Sequence, residues 1–324
     1  MKRHYWEAPI AIYLFLGGLG GGIMFLSWVL SAFVFPGADL GGALVGPMVV
    51  ALIALAVGCF FLVFELGQPP VFWRVFTTAT AIIKWGATLL SVATFAGLFW
   101  ALSYLPWDWI EPVGAVFAPG RGVWLGIAGV CGFGIMVYTG VMLSTLKAHA
   151  FWATPALPVL FTVSALSTAC AAITLSACGW PAVPSVADEI AGVYINALLH
   201  VVDIALVATE VVVLLIMVLS FLGAGNVTAK AAARRWVVGS YAPLFWIGMI
   251  GAGLVAPFIM YVAAPGFAAE IAAPVLVLCG GLLLRFLVVY TDDRAPLPGE
   301  EEYFAFQKSD DERYLEAWKE GNLY

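Results

Sequence analysis

The chain has 324 residues, of which 63% are hydrophobic and only 10% are charged, and its formal net charge is −6. This composition excludes an ordinary soluble globular protein, and the acidic balance argues against nucleic acid as a partner. We therefore expect an integral membrane protein.

Eight long apolar segments follow one another along the chain. Each reaches the roughly 20 apolar residues that a helix needs to cross a bilayer, and none alternates with a period of two as a barrel strand would. The sequence predicts an all-α domain over residues 1–290 with eight spans, at about 9–35, 43–66, 83–105, 122–146, 156–178, 191–222, 240–263 and 269–290.

Thirteen of the 14 Lys and Arg residues lie at or near one predicted membrane face, and Arg121 alone lies at the other. The positive-inside rule assigns the basic face to the cytoplasm. We therefore expect both termini to be cytoplasmic.

The first predicted span contains Tyr13 and a glycine-rich centre. Gly17 with Gly21, and Gly18 with Gly22, are four residues apart, a spacing that lets two helices approach closely in lipid. A dinucleotide-binding motif would need a preceding strand, which the sequence does not predict. We interpret the glycines as packing residues.

The connection between the second and third predicted spans is partly hydrophobic and partly charged. It runs from Glu65 to Trp85 and includes Arg74 and Lys84. A segment of this kind is expected to lie in the membrane interface or to fold over a cavity.

The fourth predicted span carries Tyr138 in its half that is nearer the basic membrane face. A hydroxyl such as that of Tyr138, between apolar walls, can donate a hydrogen bond to a quinone carbonyl. The alternative is an interfacial anchor or a bond between helices, and the sequence leaves both open. His149 follows at the same membrane face.

The sixth predicted span carries His200, Asp203 and Glu210. At 100° per residue, Asp203 lies about −60° from His200 and Glu210 about −20° from Asp203, so the three share one face. Charged groups in a span are costly and indicate function. They form either a proton path or a structural set bonded to neighbouring helices, with Arg285 or Lys84 as counter-charges.

The five cysteines form no CxxC pair, and only His200 of the three histidines lies inside a span. We therefore expect neither haem nor an iron–sulfur cluster bound by this chain.

The segment 291–324 has ten acidic and four basic residues together with six aromatic residues. It is either a docking strip for another protein or a solvated tail.

Six motifs occur in an order and spacing that resemble the NrfD/PsrC family of polysulfide-reductase-type membrane subunits. They are YLFLGGLGGG from Tyr13, ELGQP from Glu65 followed by FWR, WG at Trp85, YTG at Tyr138 with the stretch 151–168, the set His200, Asp203 and Glu210, and GG before Arg285.

The resemblance implies eight helices in two four-helix bundles and a quinone pocket in the first four. It implies a haem-free oxidoreductase subunit of a bacterial or archaeal inner membrane that catalyses no complete reaction alone. Electrons would pass between menaquinone or ubiquinone and a ferredoxin-like iron–sulfur subunit, connected to a catalytic subunit, often molybdenum-containing.

The residues that we assign to quinone binding are Tyr13, Tyr138, Arg74, Lys84 and His149. Those assigned to proton movement are Glu65, His200, Asp203, Glu210 and Arg285. Two alternatives remain, a structural anchor and a secondary transporter with a midplane site on broken helices. Gly251, Gly253 and Pro257 are the residues that would break the seventh span.

Overall fold

A computed structural model describes residues 8–65, 75–76, 82–104, 111–147, 149, 151–177, 186–223, 227–263, 266 and 268–291. Within these ranges the chain is helical and has no strand, and eight helical segments are long and apolar enough to cross a membrane. The predicted all-α fold with eight spans is confirmed.

The first four spans are built from five helices. They are α1 (Ala8–Val29, extended by a π-helical turn at Leu30–Val34), α2 (Gly41–Glu65), α3 (Ile82–Leu102), the short α4 (Glu111–Phe117) and α5 (Arg121–Ser144). The last four spans contain α6 (Ala156–Ala177), α7 (Val186–Gly223), a π-helical segment (Leu244–Val255) that continues into α9 (Ala256–Ala263), and α10 (Ala273–Thr291). A π-helical turn (Ala268–Ala272) precedes α10, and a surface helix, α8 (Val227–Val237), follows α7.

The helices pack as two bundles that meet along α1 and α6. Helices α1, α2, α3 and α5 form the first bundle, and α6, α7, α9 and α10 form the second. We call the membrane face at which α1 begins the N-terminal face. Helices α2, α5, α7 and α10 end at this face. We call the other membrane face the opposite face.

Helices α1 and α5 cross in backbone contact at two glycines. A Cβ atom at Gly21 would lie 2.6 Å from the Gly132 carbonyl oxygen, and one at Gly132 would lie 2.5 Å from the Gly21 carbonyl oxygen. Neither distance admits a side chain. The crossing therefore fixes the two helices that carry Tyr13 and Tyr138.

At the opposite face, a polar clamp joins the ends of the first bundle. The Arg121 guanidinium lies 3.8 Å from the centre of the Tyr104 ring, donates to Ser103 and pairs with Asp39 at 3.7 Å. Tyr104 donates its hydroxyl to Asp39 Oδ1 at 2.7 Å. Burial, and then this hydrogen bond, raise the pKa of Tyr104 above its usual value.

At the N-terminal face, side chains hold the end of α10. Trp236 of α8 donates to Thr291 Oγ1 at 2.6 Å, Arg235 donates to the Thr291 carbonyl at 3.1 Å, and Trp152 donates to the Val288 carbonyl at 2.9 Å. These bonds satisfy carbonyl and hydroxyl groups where the helix stops. The acidic segment that follows Thr291 lies outside the described residues, but its starting point is fixed at this face.

Candidate functional site

A cavity of about 300 Å³ lies at the N-terminal face of the first bundle. Its walls are largely aliphatic and aromatic, and they come from α1, α2, α3 and α5 together with the connection before α3. The lining residues are Ile10, Tyr13, Cys59, Leu62, Val63, Val75, Phe76, Ile83, Ala87, Leu90, Ser91, Tyr138 and Met142.

Two tyrosines supply most of the hydrogen-bonding capacity of these walls. Tyr13 and Tyr138 are 3% and 7% exposed, and they enter the cavity from α1 and α5. The Tyr138 hydroxyl makes only a weak bond, 3.4 Å from Met142 Sδ. Ser91 is less available, because its hydroxyl already donates to the Ala87 carbonyl at 2.8 Å.

Gly86 creates the space in which the Tyr138 ring lies. A Cβ atom at Gly86 would overlap Tyr138 Cζ and would lie 2.7 Å from its hydroxyl oxygen. Gly58 of α2 lies beside the other tyrosine, but with more space. A Cβ atom at Gly58 would lie 3.6 Å from Tyr13 Cδ2, which is an ordinary van der Waals contact. Gly86 therefore positions one tyrosine, while Gly58 only neighbours the other.

The cavity opens to the outer surface of the spans. Phe76 and Ile83, at its rim, are 40% and 47% exposed. Val75 and Phe76 are the described residues of the connection that was expected to fold over a cavity, and both line this one. A molecule dissolved in the bilayer would reach the tyrosines between these side chains.

Two other residues assigned to quinone binding, Lys84 and His149, are absent from the described lining of the cavity. Lys84 shares a face of α3 with Ala87 and Ser91, which line the cavity, but Lys84 itself is absent from the described lining. His149 is buried in the connection after α5, where its ring stacks on Trp152 at 4.3 Å. Arg74 and the side chain of Glu65 lie outside the described part of the protein.

A second polar site follows one face of α7 in the other bundle. Asp203 is buried, and its Oδ1 atom accepts a bond from the Ser167 hydroxyl at 2.5 Å. The Tyr261 side chain interacts electrostatically with the Asp203 carboxylate. The rings of Tyr261 and His200 pack with their centres 5.1 Å apart, so Tyr261 lies near both residues.

Two turns along α7, Glu210 faces Arg285 of α10, and both side chains are buried. Their charges attract each other, and Ser164 accepts a hydrogen bond from Arg285 Nη1 at 2.5 Å. Arg285 also donates to the Gly281 and Phe161 carbonyls, both at 3.1 Å. These bonds engage both terminal nitrogens of the guanidinium, while its buried Nε atom has no hydrogen-bond partner among the described residues.

This set, which we call the polar row, reaches the helix that carries Tyr13. It comprises His200, Asp203, Glu210, Arg285, Ser164, Ser167 and Tyr261. A Cβ atom at Gly18 of α1 would lie 3.7 Å from Arg285 Nη2. Gly18 is five residues from Tyr13, about 7.5 Å along the helix axis.

Three members of the polar row were not assigned from the sequence. Ser164 and Ser167 are three residues apart on α6, and their spacing could have indicated a shared face. No sequence feature indicated Tyr261, because only the packing of α9 against α7 brings its side chain near Asp203.

Comparison with known proteins agrees with the motifs. A family model described as "Polysulphide reductase, NrfD" matches residues 1–293. The C subunit of polysulfide reductase from Wolinella succinogenes is 26% identical over 309 residues, covering 88% of this protein and 93% of the relative. Protein NrfD of Escherichia coli is 30% identical over 317 residues, covering 88% of this protein and 94% of the relative.

Replacing Arg285 by Met should lower the free energy of unfolding by about 3–5 kcal/mol, because the Glu210 charge would remain buried without its counter-charge. Adding Glu210→Gln to this variant should restore part of the loss. Thermal unfolding of the detergent-purified variants measures both effects. A double variant that melts below both single variants would contradict the pairing.

Proposed function

Because the chain belongs to the NrfD polysulphide reductase family of oxidoreductase membrane subunits, we propose that it is the subunit that reacts with a membrane quinone. The observation that carries this proposal is the cavity, which opens to the lipid-facing surface and presents two buried tyrosine hydroxyls. The quinone, menaquinone or ubiquinone, is the mobile substrate of the complex.

The cavity fits a quinone head in size and chemistry. A volume of about 300 Å³ is within the range of small-molecule pockets, and the apolar walls suit a ring that arrives from lipid. Tyr13 and Tyr138 would donate to carbonyl oxygens, holding the head in one orientation. Interconversion with the quinol moves two electrons and two protons, so both need a route away from the cavity.

For the electrons, we propose an iron–sulfur partner at the N-terminal face. The cavity lies at that face, and so does Thr291, from which the acidic and aromatic segment continues. That segment would contribute to docking the partner. We propose that this partner passes the electrons to a catalytic subunit that contains molybdenum.

For the protons, we propose the polar row. Its two carboxylates, Asp203 and Glu210, lie on one helix face, and the Ser167 hydroxyl of α6 donates a hydrogen bond to Asp203. Arg285 ends the row beside α1, the helix that carries Tyr13. A row of this kind supports proton movement through the second bundle while the quinone reacts in the first.

A secondary transporter would use the broken seventh span as a midplane site. The span is irregular at Leu244–Val255. However, a Cβ atom at Gly253 would lie 2.7 Å from Gly280 Cα. The glycine closes the gap to α10 instead of opening a site, so this observation favours the quinone function.

We propose that the N-terminal face is cytoplasmic, because the sequence predicts thirteen of the 14 basic residues at or near the membrane face at which the first span begins. In sealed inside-out vesicles, added protease should then remove a tag placed after residue 324. Protection of the tag in intact vesicles, with cleavage only after detergent is added, would reverse the orientation.

Tyr138→Phe should lower kcat/KM for the quinone roughly 2- to 10-fold, because one hydrogen bond of about 0.5–1.5 kcal/mol is lost while the ring remains. The assay uses the purified complex with reduced benzyl viologen as donor and a soluble menaquinone analogue as acceptor. Tyr194→Phe, which removes an exposed hydroxyl of α7, is the matched control. Equal activity of the two variants would remove Tyr138 from the site.

Gly86→Ala should reduce the same activity at least as strongly as Tyr138→Phe. The added methyl group overlaps the Tyr138 ring, and such overpacking costs about 1–3 kcal/mol. Gly58→Ala should retain activity, because its methyl group meets Tyr13 at an ordinary distance. The positioning role is wrong if the two alanine variants have the same KM and kcat.

A further inference from the structure

The surface helix α8 carries three cations that neither the sequence motifs nor the proposed function uses. Four of its residues are buried against the second bundle, namely Ala229, Ala232, Ala233 and Trp236. At 100° per residue, Lys230 and Arg234 lie about 100° and 140° to one side of Ala229, and Arg235 lies about 120° to the other side. The helix therefore separates two of its cations from the third.

Only the third cation is bonded to the second bundle. Arg235 donates to the Thr291 carbonyl at 3.1 Å. Among the described residues, the side chains of Lys230 and Arg234 make no hydrogen bond and no ion pair. Arg234 is exposed and Lys230 is partly exposed. Because the two are four residues apart on one flank of the helix, both can reach the same group.

The chain places no acidic residue in the neighbourhood of this pair along the sequence. No Asp or Glu occurs between Glu210 and Glu270, a stretch that includes α8 and the whole seventh span. The next acids after α10 follow Thr291, which is held by Arg235 from the other flank of α8. An anion that binds Lys230 and Arg234 therefore comes from outside the described residues.

Exposed apolar side chains lie beside the two cations. Trp246, in the first turn of the seventh span, donates its indole N–H to the Val237 carbonyl at the end of α8 at 3.0 Å. Trp246 is half exposed, Ile247 is 73% exposed, and Val238, directly after α8, is 82% exposed. An exposed tryptophan at the end of a span is typical of the membrane–water interface. The bond therefore places the end of α8 at the depth of the lipid headgroups.

We propose that Lys230 and Arg234 bind the phosphate of an anionic phospholipid, whose acyl chains cover Val238, Trp246 and Ile247. A phospholipid presents an anion and hydrocarbon together at this depth, whereas a soluble acidic protein presents only the anion. A net negative headgroup is required, because the ammonium group of a zwitterionic lipid offsets its own phosphate. This inference is independent of the proposed function and of which membrane face is cytoplasmic.

The test titrates the delipidated, detergent-purified complex with dioleoyl phosphatidylglycerol and counts bound lipid by native mass spectrometry. Dioleoyl phosphatidylcholine, which has the same chains and a zwitterionic head, is the lipid control. Each cation near a membrane surface contributes roughly 5-fold in affinity. Lys230→Gln combined with Arg234→Gln should therefore weaken the tightest phosphatidylglycerol binding about 10- to 30-fold and leave phosphatidylcholine binding unchanged. Lys230→Arg combined with Arg234→Lys should retain the affinity.

The matched control is Lys147→Gln, which removes an exposed cation just after α5, at the same face but in the first bundle. This variant should bind phosphatidylglycerol as the wild type does. An equal fall in the control and in the double glutamine variant would indicate a general attraction to surface charge and would overturn the site. Wild-type affinity in the double glutamine variant would overturn it as well.

Two other occupants of this surface would give different results. If the double glutamine variant keeps its phosphatidylglycerol but loses the iron–sulfur subunit, the surface docks a protein and the lipid assignment is wrong. If the wild-type complex binds phosphatidylglycerol here only after protease removes the segment beyond residue 293, that segment covers the cations, and the lipid assignment is again wrong.

Photolabelling of the wild-type complex provides a second test in case the double glutamine variant does not assemble. Phosphatidylglycerol with a photoreactive acyl chain should label the peptide that contains Val238 and Trp246. Unlabelled phosphatidylglycerol should remove this label, and phosphatidylcholine should not. Competable label confined to other peptides would overturn the site.

Discussion

The close approach of α1 to its neighbours is the constraint on which the rest of the structure depends. Without a hydrophobic driving force between helices in lipid, association depends on close van der Waals packing, and glycine gives the closest. Gly21 places α1 against the α5 backbone, and Gly18 faces Arg285 of α10. One helix therefore contacts both bundles and carries Tyr13 at the N-terminal face.

The two bundles differ in how they treat polar groups. The first has an apolar cavity with exposed apolar side chains among its lining residues, and the Tyr138 hydroxyl makes only a weak hydrogen bond in it. The second buries two carboxylates and a guanidinium. Asp203 and Arg285 are hydrogen-bonded to their neighbours, and the charge of Arg285 attracts Glu210, because an unpaired charge there would be costly. The division suits a protein in which a lipid-soluble carrier and protons use separate routes that meet at α1.

Local sequence features predicted the eight spans and the first-bundle tyrosines, because span length and short motifs are properties of contiguous residues. The same features could not predict the position of Tyr261 near Asp203 or the hydrogen bond between Arg285 and Ser164, because both depend on packing between distant helices. The 11-residue helix α8 was missed because it is too short to span and rich in alanine. Lys84 was assigned to quinone binding from the sequence; it lies on the face of α3 that carries the lining residues Ala87 and Ser91, but outside the described lining.

The most direct measurement of the central claim is photolabelling of the complex with an azido-quinone, followed by mass spectrometry of the labelled peptides. The account predicts label on the α1 and α5 peptides that contain Tyr13 and Tyr138, and its loss when unlabelled quinone is added. Competable label confined to α7, α9 or α10 would contradict it.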